Sequence, residues 1–82
     1  MKFVLDIFDI TKTFPAEEKF VLIPQMRRSV LSIPSNIAEG AGRNTKKEFA
    51  NFLHVAQGSL SELDTQFEIA LRLKYIATDL YI

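Results

Sequence analysis

The chain has 82 residues, 48% of them apolar, with ten Lys+Arg against ten Asp+Glu and no cysteine. That length holds one domain, residues 1–82, near the lower limit for a stable single core, and the apolar content suits a packed interior better than disorder. Zero net charge excludes a protein drawn to nucleic acid by overall charge, and the lack of cysteine excludes disulfides, thiolate nucleophiles and zinc ribbons. No apolar run reaches the roughly 20 residues of a membrane span, and the opening MKFVLDIFDI lacks a small-residue cleavage site, so the chain reads as soluble and cytoplasmic.

Residues 2–12 place Phe3, Val4, Ile7, Phe8 and Thr11 on one helical face, the pattern of an amphipathic helix. Thr13-Phe14-Pro15 breaks it. A second helix is expected from about Ala16 to Ala41, opened by Pro15, Glu17 and Glu18, with Phe20, Ile23, Met26, Val30, Ile33 and Ile37 spaced 3, 3, 4, 3 and 4. Pro24 and Pro34 interrupt it. Because the rhythm keeps phase through both, one bent helix is expected rather than two.

Along its edge run Ser29, Ser32, Asn36 and Gly40. Small residues in register allow a neighbouring backbone close, and their polar groups can serve the carbonyl freed by Pro34; a weakly polar solvent edge is the alternative. Gly40 and Gly42 are expected to end the helix as left-handed caps.

Thr45-Lys46-Lys47-Glu48 reads as a capping box that starts a third helix. Phe49, Leu53, Ala56, Leu60, Leu63, Phe67 and Ala70 then recur at 4, 3, 4, 3, 4 and 3, a heptad-like seam for antiparallel neighbours. Thr78-Asp79 is a candidate cap for a further helix. The fold class is all-α, an up-and-down antiparallel helical bundle.

Phe14-Pro15-x-x-Glu18, Gln25-x-x-Arg28, Ser32-Ile33-Pro34-Ser35-Asn36-Ile37-Ala38-Glu39-Gly40, Gly42-Arg43 and Lys47-Glu48-Phe49 form a recognisable set. With them go Phe52-Leu53, Gly58-Ser59-Leu60, Glu62-Leu63, Gln66 and Leu73-x-Tyr75-Ile76. Together they resemble the four-helix bundle proteins encoded within intervening sequences of bacterial 23S ribosomal RNA genes. Against that pattern the first helix is short, the fourth is largely missing, and Lys74 stands where a glycine usually precedes the tyrosine. The resemblance implies a non-catalytic bundle that assembles into a homo-oligomer, a pentameric ring. A related bundle, the accessory protein of diversity-generating retroelements, binds a reverse transcriptase and nucleic acid.

The residues themselves offer little catalytic chemistry. His54 is the sole histidine and lacks a second ligand at metal spacing; Asp6/Asp9 and Glu17/Glu18 are carboxylate pairs of the kind any solvated helix carries. Gly40-Ala41-Gly42 before Lys46 lacks the GxxxxGK[ST] pattern of a phosphate loop. No enzyme, cofactor, metal or small-molecule substrate is expected.

Charge is segregated. Residues 27–47 hold Arg27, Arg28, Arg43, Lys46 and Lys47 against Glu39, a local +4, whereas residues 48–68 hold Glu48, Glu62, Asp64 and Glu68 with no Lys or Arg, a local −4. In one reading Arg27, Arg43, Lys46 and Lys47 meet RNA or DNA phosphate. In another the positive corner of one subunit faces the acidic flank of the next; a solvated surface is the third. A partly buried polar network is expected among Arg28, Asn36, Glu39, Glu62 and Gln66, with Arg28 or Asn36 bonded to Glu62.

Overall fold

The computed structural model of the chain describes residues 1–76, and the Thr78-Asp79 cap lies outside them. Three α-helices follow one another: α1 (Lys2–Thr11), α2 (Leu22–Ala41) and α3 (Lys46–Arg72), with a single 3-10 turn at Ala16–Glu18 and no strand among the described residues. They pack as an elongated up-and-down bundle of 44 × 23 × 20 Å. α1 and α3 both flank α2, the longer contact being that of α2 with α3.

Of the expected helical face of α1, Val4, Ile7 and Thr11 are buried and Phe8 half-buried, whereas Phe3 at the first turn stays exposed. α2 starts later than its sequence pattern implies. Ala16–Glu18 form only a 3-10 turn, and Val21 leaves helical geometry at φ −121°, ψ −86°. Phe20 and Val21 are consequently exposed outside the helix. The late start changes the meaning of Pro24. It sits at the third position of α2, where a backbone N–H has no helical partner in any case. Pro34 alone stands in the helix interior.

The small-residue edge of α2 is its contact with α3. Ser29 and Gly40 are buried, and a Cβ added at Gly40 would lie 2.8 Å from both Phe49 Cδ1 and Phe52 Cβ. That approach, not a turn, is why glycine stands there. Neither Gly40 nor Gly42 adopts a left-handed conformation: Gly42 follows the helix at φ −84°, ψ −1°.

α3 begins as its sequence implies. The Thr45 hydroxyl accepts from the Glu48 N–H at 3.1 Å. The return half of the box differs, since the Glu48 carboxylate takes the Thr45 hydroxyl proton at 3.2 Å. The buried line of α3 is also rotated from the expected seam: Ala56, Ser59, Leu63, Gln66 and Ala70 are buried, while Phe49, Leu53 and Leu60 are exposed. The core closes around Ile7, Met26, Val30 and Leu63, each contributing about 1.5–3 kcal/mol by burial. Phe14 and Tyr75, with ring centroids 5.3 Å apart, seal the far end.

The exit of α3 carries the one left-handed non-glycine residue among those described, Lys74 at φ 64°. The Tyr75 N–H donates to the Ala70 carbonyl at 2.9 Å and the Lys74 N–H to the Leu71 carbonyl at 3.0 Å, the paired bonds of a Schellman motif. A lysine thus holds the conformation that glycine adopts without a Cβ clash, at a cost of about 1 kcal/mol. Lys74→Gly is expected to raise the melting temperature by about 4–8 °C. Thermal denaturation followed by circular dichroism measures it; an unchanged or lower midpoint contradicts the account.

Candidate interaction surfaces

α1 spans 10 residues and α3 spans 27, so one flank of α3 is covered over only part of its length. Phe3, Ile7 and Ile10 of α1 and Leu60, Leu63 and Phe67 of α3 line an open groove, with Asp6 and Asp64 on its rims. The groove continues past Leu60 between α2 and α3, over Ile33, Ile37, Leu53 and Ala56. Along it Phe3 is 49% exposed, Leu60 51%, Ile37 43% and Leu53 40%. These are large apolar side chains aligned on one face, unlike the scattered singles of an ordinary surface. His54 also lines this groove.

The four basic candidates occupy different environments. Arg27 points inward: its Nε donates to Thr11 Oγ1 at 3.0 Å, its Nη2 donates to the Phe8 carbonyl at 3.3 Å, and its guanidinium lies 4.7 Å from the Phe8 ring centroid. Thr11 is fully buried and donates in turn to the Ile7 carbonyl at 2.9 Å. Arg27 therefore clamps the last turn of α1 to α2, using the Phe8 carbonyl, the Thr11 hydroxyl and the negative end of the helix dipole. Arg43 pairs with Glu39 at 3.1 Å and stacks on Phe52 at 4.9 Å. Lys46 and Lys47 are exposed in the first turn of α3. The structure brings Arg43 and Lys46 together around a shallow depression with Asn44 and Thr45.

The polar contact between α2 and α3 runs through different residues from those anticipated. Ser59 donates to Ser32 Oγ at 2.7 Å, and Asn36 Nδ2 donates to the same oxygen at 2.9 Å and to the Ser32 carbonyl at 2.7 Å. Asn36 is thus committed to its own helix and is not bonded to Glu62. Arg28 and Glu62 are both exposed, and Glu39 belongs to the Arg43 pair. Gln66 is buried, yet its Oε1 has no hydrogen-bond partner among the described residues. Serine is short enough to meet serine at the close α2–α3 approach, whereas the longer Arg28 and Glu62 turn outward.

The sequence reading misses two contributors. The Arg27 clamp is signalled only by Phe8 and Thr11 sharing the buried face of α1, a pattern that names no partner. Tyr75 is the other: its ring packs against Phe14, and burial, then the carboxylates of Glu18 and Glu17, push its phenol above the ordinary value. No three His, Cys, Asp or Glu side chains converge at metal spacing among the described residues, and no helix there is long and apolar enough to cross a membrane.

Arg27→Ala removes two charge-assisted hydrogen bonds and a cation–π contact, leaving the end of α1 held by packing alone. A loss of about 1–3 kcal/mol is expected, read as a lower denaturant midpoint. An unchanged midpoint would return Arg27 to the pool of free cations.

A search among curated proteins finds no match. The family model described as 23S rRNA-intervening sequence protein matches residues 1–82, the whole chain. The helical architecture just described agrees with the bundle that the SIPSNIAEG run and its companions imply, and on that match the chain belongs to the 23S rRNA-intervening sequence protein family.

Proposed function

We propose that this chain is a cytoplasmic, self-associating helical-bundle protein that acts by protein–protein contact and without catalysis. The observation that carries the reading is the open apolar groove from Ile37 and Leu53 through Leu60 to Phe3. Each large side chain withdrawn from water there contributes about 1.5–3 kcal/mol, so several together supply the driving force for a subunit contact. A closed homo-oligomer, such as the ring implied by the sequence resemblance, hides such faces on every copy.

Light scattering across a concentration series tests this. The chain is expected to show a mass above that of one 9.4 kDa copy. Leu60→Glu is expected to lower that mass with little change in helical content, because Leu60 is half exposed in the protomer. A single-copy mass at every concentration would sink the proposal.

Phosphate binding at the α2–α3 corner is the second reading, favoured by the exposure of Arg43, Lys46 and Lys47. Arg27 contributes nothing to it, being turned into the α1 clamp. Under this reading RNA or DNA affinity falls with salt, and neutralising the three corner residues to Gln lowers the slope of log K against log salt by about 2–3. Binding that is absent, or equally salt-sensitive in the variant, removes this reading.

A further inference from the structure

The flank of the α2–α3 pair opposite the groove has its own order. On α3, Asn51, Val55, Gly58, Glu62, Thr65 and Ile69 recur at 4, 3, 4, 3 and 4, and all are exposed. At the centre of this line is Gly58, where an added Cβ would meet nothing within 4 Å. Glycine in a helix interior is destabilising relative to alanine, and no contact within the protomer requires it. Gly40 shows the contrast, since there phenylalanine side chains leave no room for a Cβ.

α2 presents a matching line on the same flank: Gln25, Arg28, Ser32, Ser35 and Glu39, spaced 3, 4, 3 and 4 and all exposed or half-buried. The Ser32–Ser59 hydrogen bond of 2.7 Å fixes the heights of the two antiparallel helices. Four residues before Ser32 lies Arg28 and three after Ser59 lies Glu62, so the two charges share one level. Eleven after Ser32 lies Arg43 and eleven before Ser59 lies Glu48, at a second level. Arg28 and Glu62 are exposed, and neither forms an ion pair among the described residues.

We infer that α2 of a second copy of this chain lies antiparallel along the outer face of α3, crossing closest at Gly58. This rests on the self-association proposed above and adds a second contact, on the flank opposite the groove. In this register Arg28 of one copy meets Glu62 of the other, and Arg43 meets Glu48. Ser32 and Ser35 pass over Gly58, so small side chains meet the missing one and the backbones approach. Val55 and Ile69, 53% and 45% exposed, flank the crossing and lose their water. The chain supplies both halves of the charge pattern, which is why a second copy is the occupant.

Charge reversal separates this contact from the groove. Arg28→Glu alone and Glu62→Arg alone are each expected to raise the dissociation constant about tenfold or more, by opposing like charges. Mixing the two variants is expected to restore association. The introduced glutamate of one variant then meets the introduced arginine of the other, and the unaltered Arg28 meets the unaltered Glu62. No effect within one protomer produces that rescue. Gly58→Ala is expected to raise the melting temperature of the dissociated protomer while weakening this contact, and Gly58→Leu to abolish the contact and lower the assembled mass.

Sedimentation velocity reads all of the association changes. Unchanged masses in the single variants, failed rescue on mixing, or a Gly58→Leu chain that assembles normally would each overturn the inference. If Leu60→Glu dissociates the protein while the Arg28, Glu62 and Gly58 variants do not, this contact fails and the groove stands. A monomer throughout overturns both.

Discussion

The close approach of α2 and α3 is the constraint on which the rest of the architecture depends. Gly40 against Phe49 and Phe52, and Ser32 against Ser59, bring two long helices together over small side chains. A narrow gap makes register discrete, because a slip of one turn would drive a larger residue into a space that holds a hydrogen atom or a hydroxyl. Once these two rods are locked, α1 has one place to lie, in the angle where Met26 and Val30 meet Leu63. Arg27 then fastens its last turn by donating to the Thr11 hydroxyl and the Phe8 carbonyl.

The character of the surface follows from that contact. Serine and glycine bury little apolar area, so the α2–α3 contact specifies geometry more than it hides grease. The large side chains are displaced to the groove side, where Ile7 and Leu63 are buried but Phe3, Leu60, Leu53 and Ile37 stay wet. The small residues thus occupy the tightest helix contact and the large ones an open edge, which is the edge that the proposed self-association would cover. The proposed association would therefore draw on a different part of the same helices from the protomer's stability.

Much of this is legible in the residues. The 3.6-residue rhythm locates all three helices, and the Thr45–Glu48 signature locates one end to the residue. What escapes are features set by distance rather than by period. The apolar rhythm of α2 runs back through Phe20, but periodicity cannot see that Val21 leaves the helix, so it places the start too early. An α3 seam drawn by size passes through Phe49, Leu53 and Leu60. The contact instead selects the small and polar Ala56, Ser59 and Gln66, which lie toward α2. Glycine near a helix end suggests a cap, yet Gly40 answers to packing, and the left-handed position falls on Lys74. Among the candidate site residues the basic corner of Arg43 and Lys46 is legible, whereas Arg27 is not, since no sequence pattern tells a clamped arginine from a free one.

Charge segregation gains meaning beside this geometry. Pairs of exposed opposite charges contribute little to a protomer's stability. The pairs Lys2–Asp6, Lys12–Asp9, Arg43–Glu39 and Arg72–Glu68 are all local, at i,i+3 or i,i+4 spacing. Arg28 and Glu62 are not among them although they share a level on adjacent helices. An apolar groove supplies affinity but little register, since hydrocarbon slides on hydrocarbon. In the contact inferred on the opposite flank, charges at fixed heights would set the register and penalise wrong alignments. A neutral chain whose positive segment, residues 27–47, precedes its negative one, residues 48–68, carries this charge pattern and the apolar groove on opposite flanks of one hairpin.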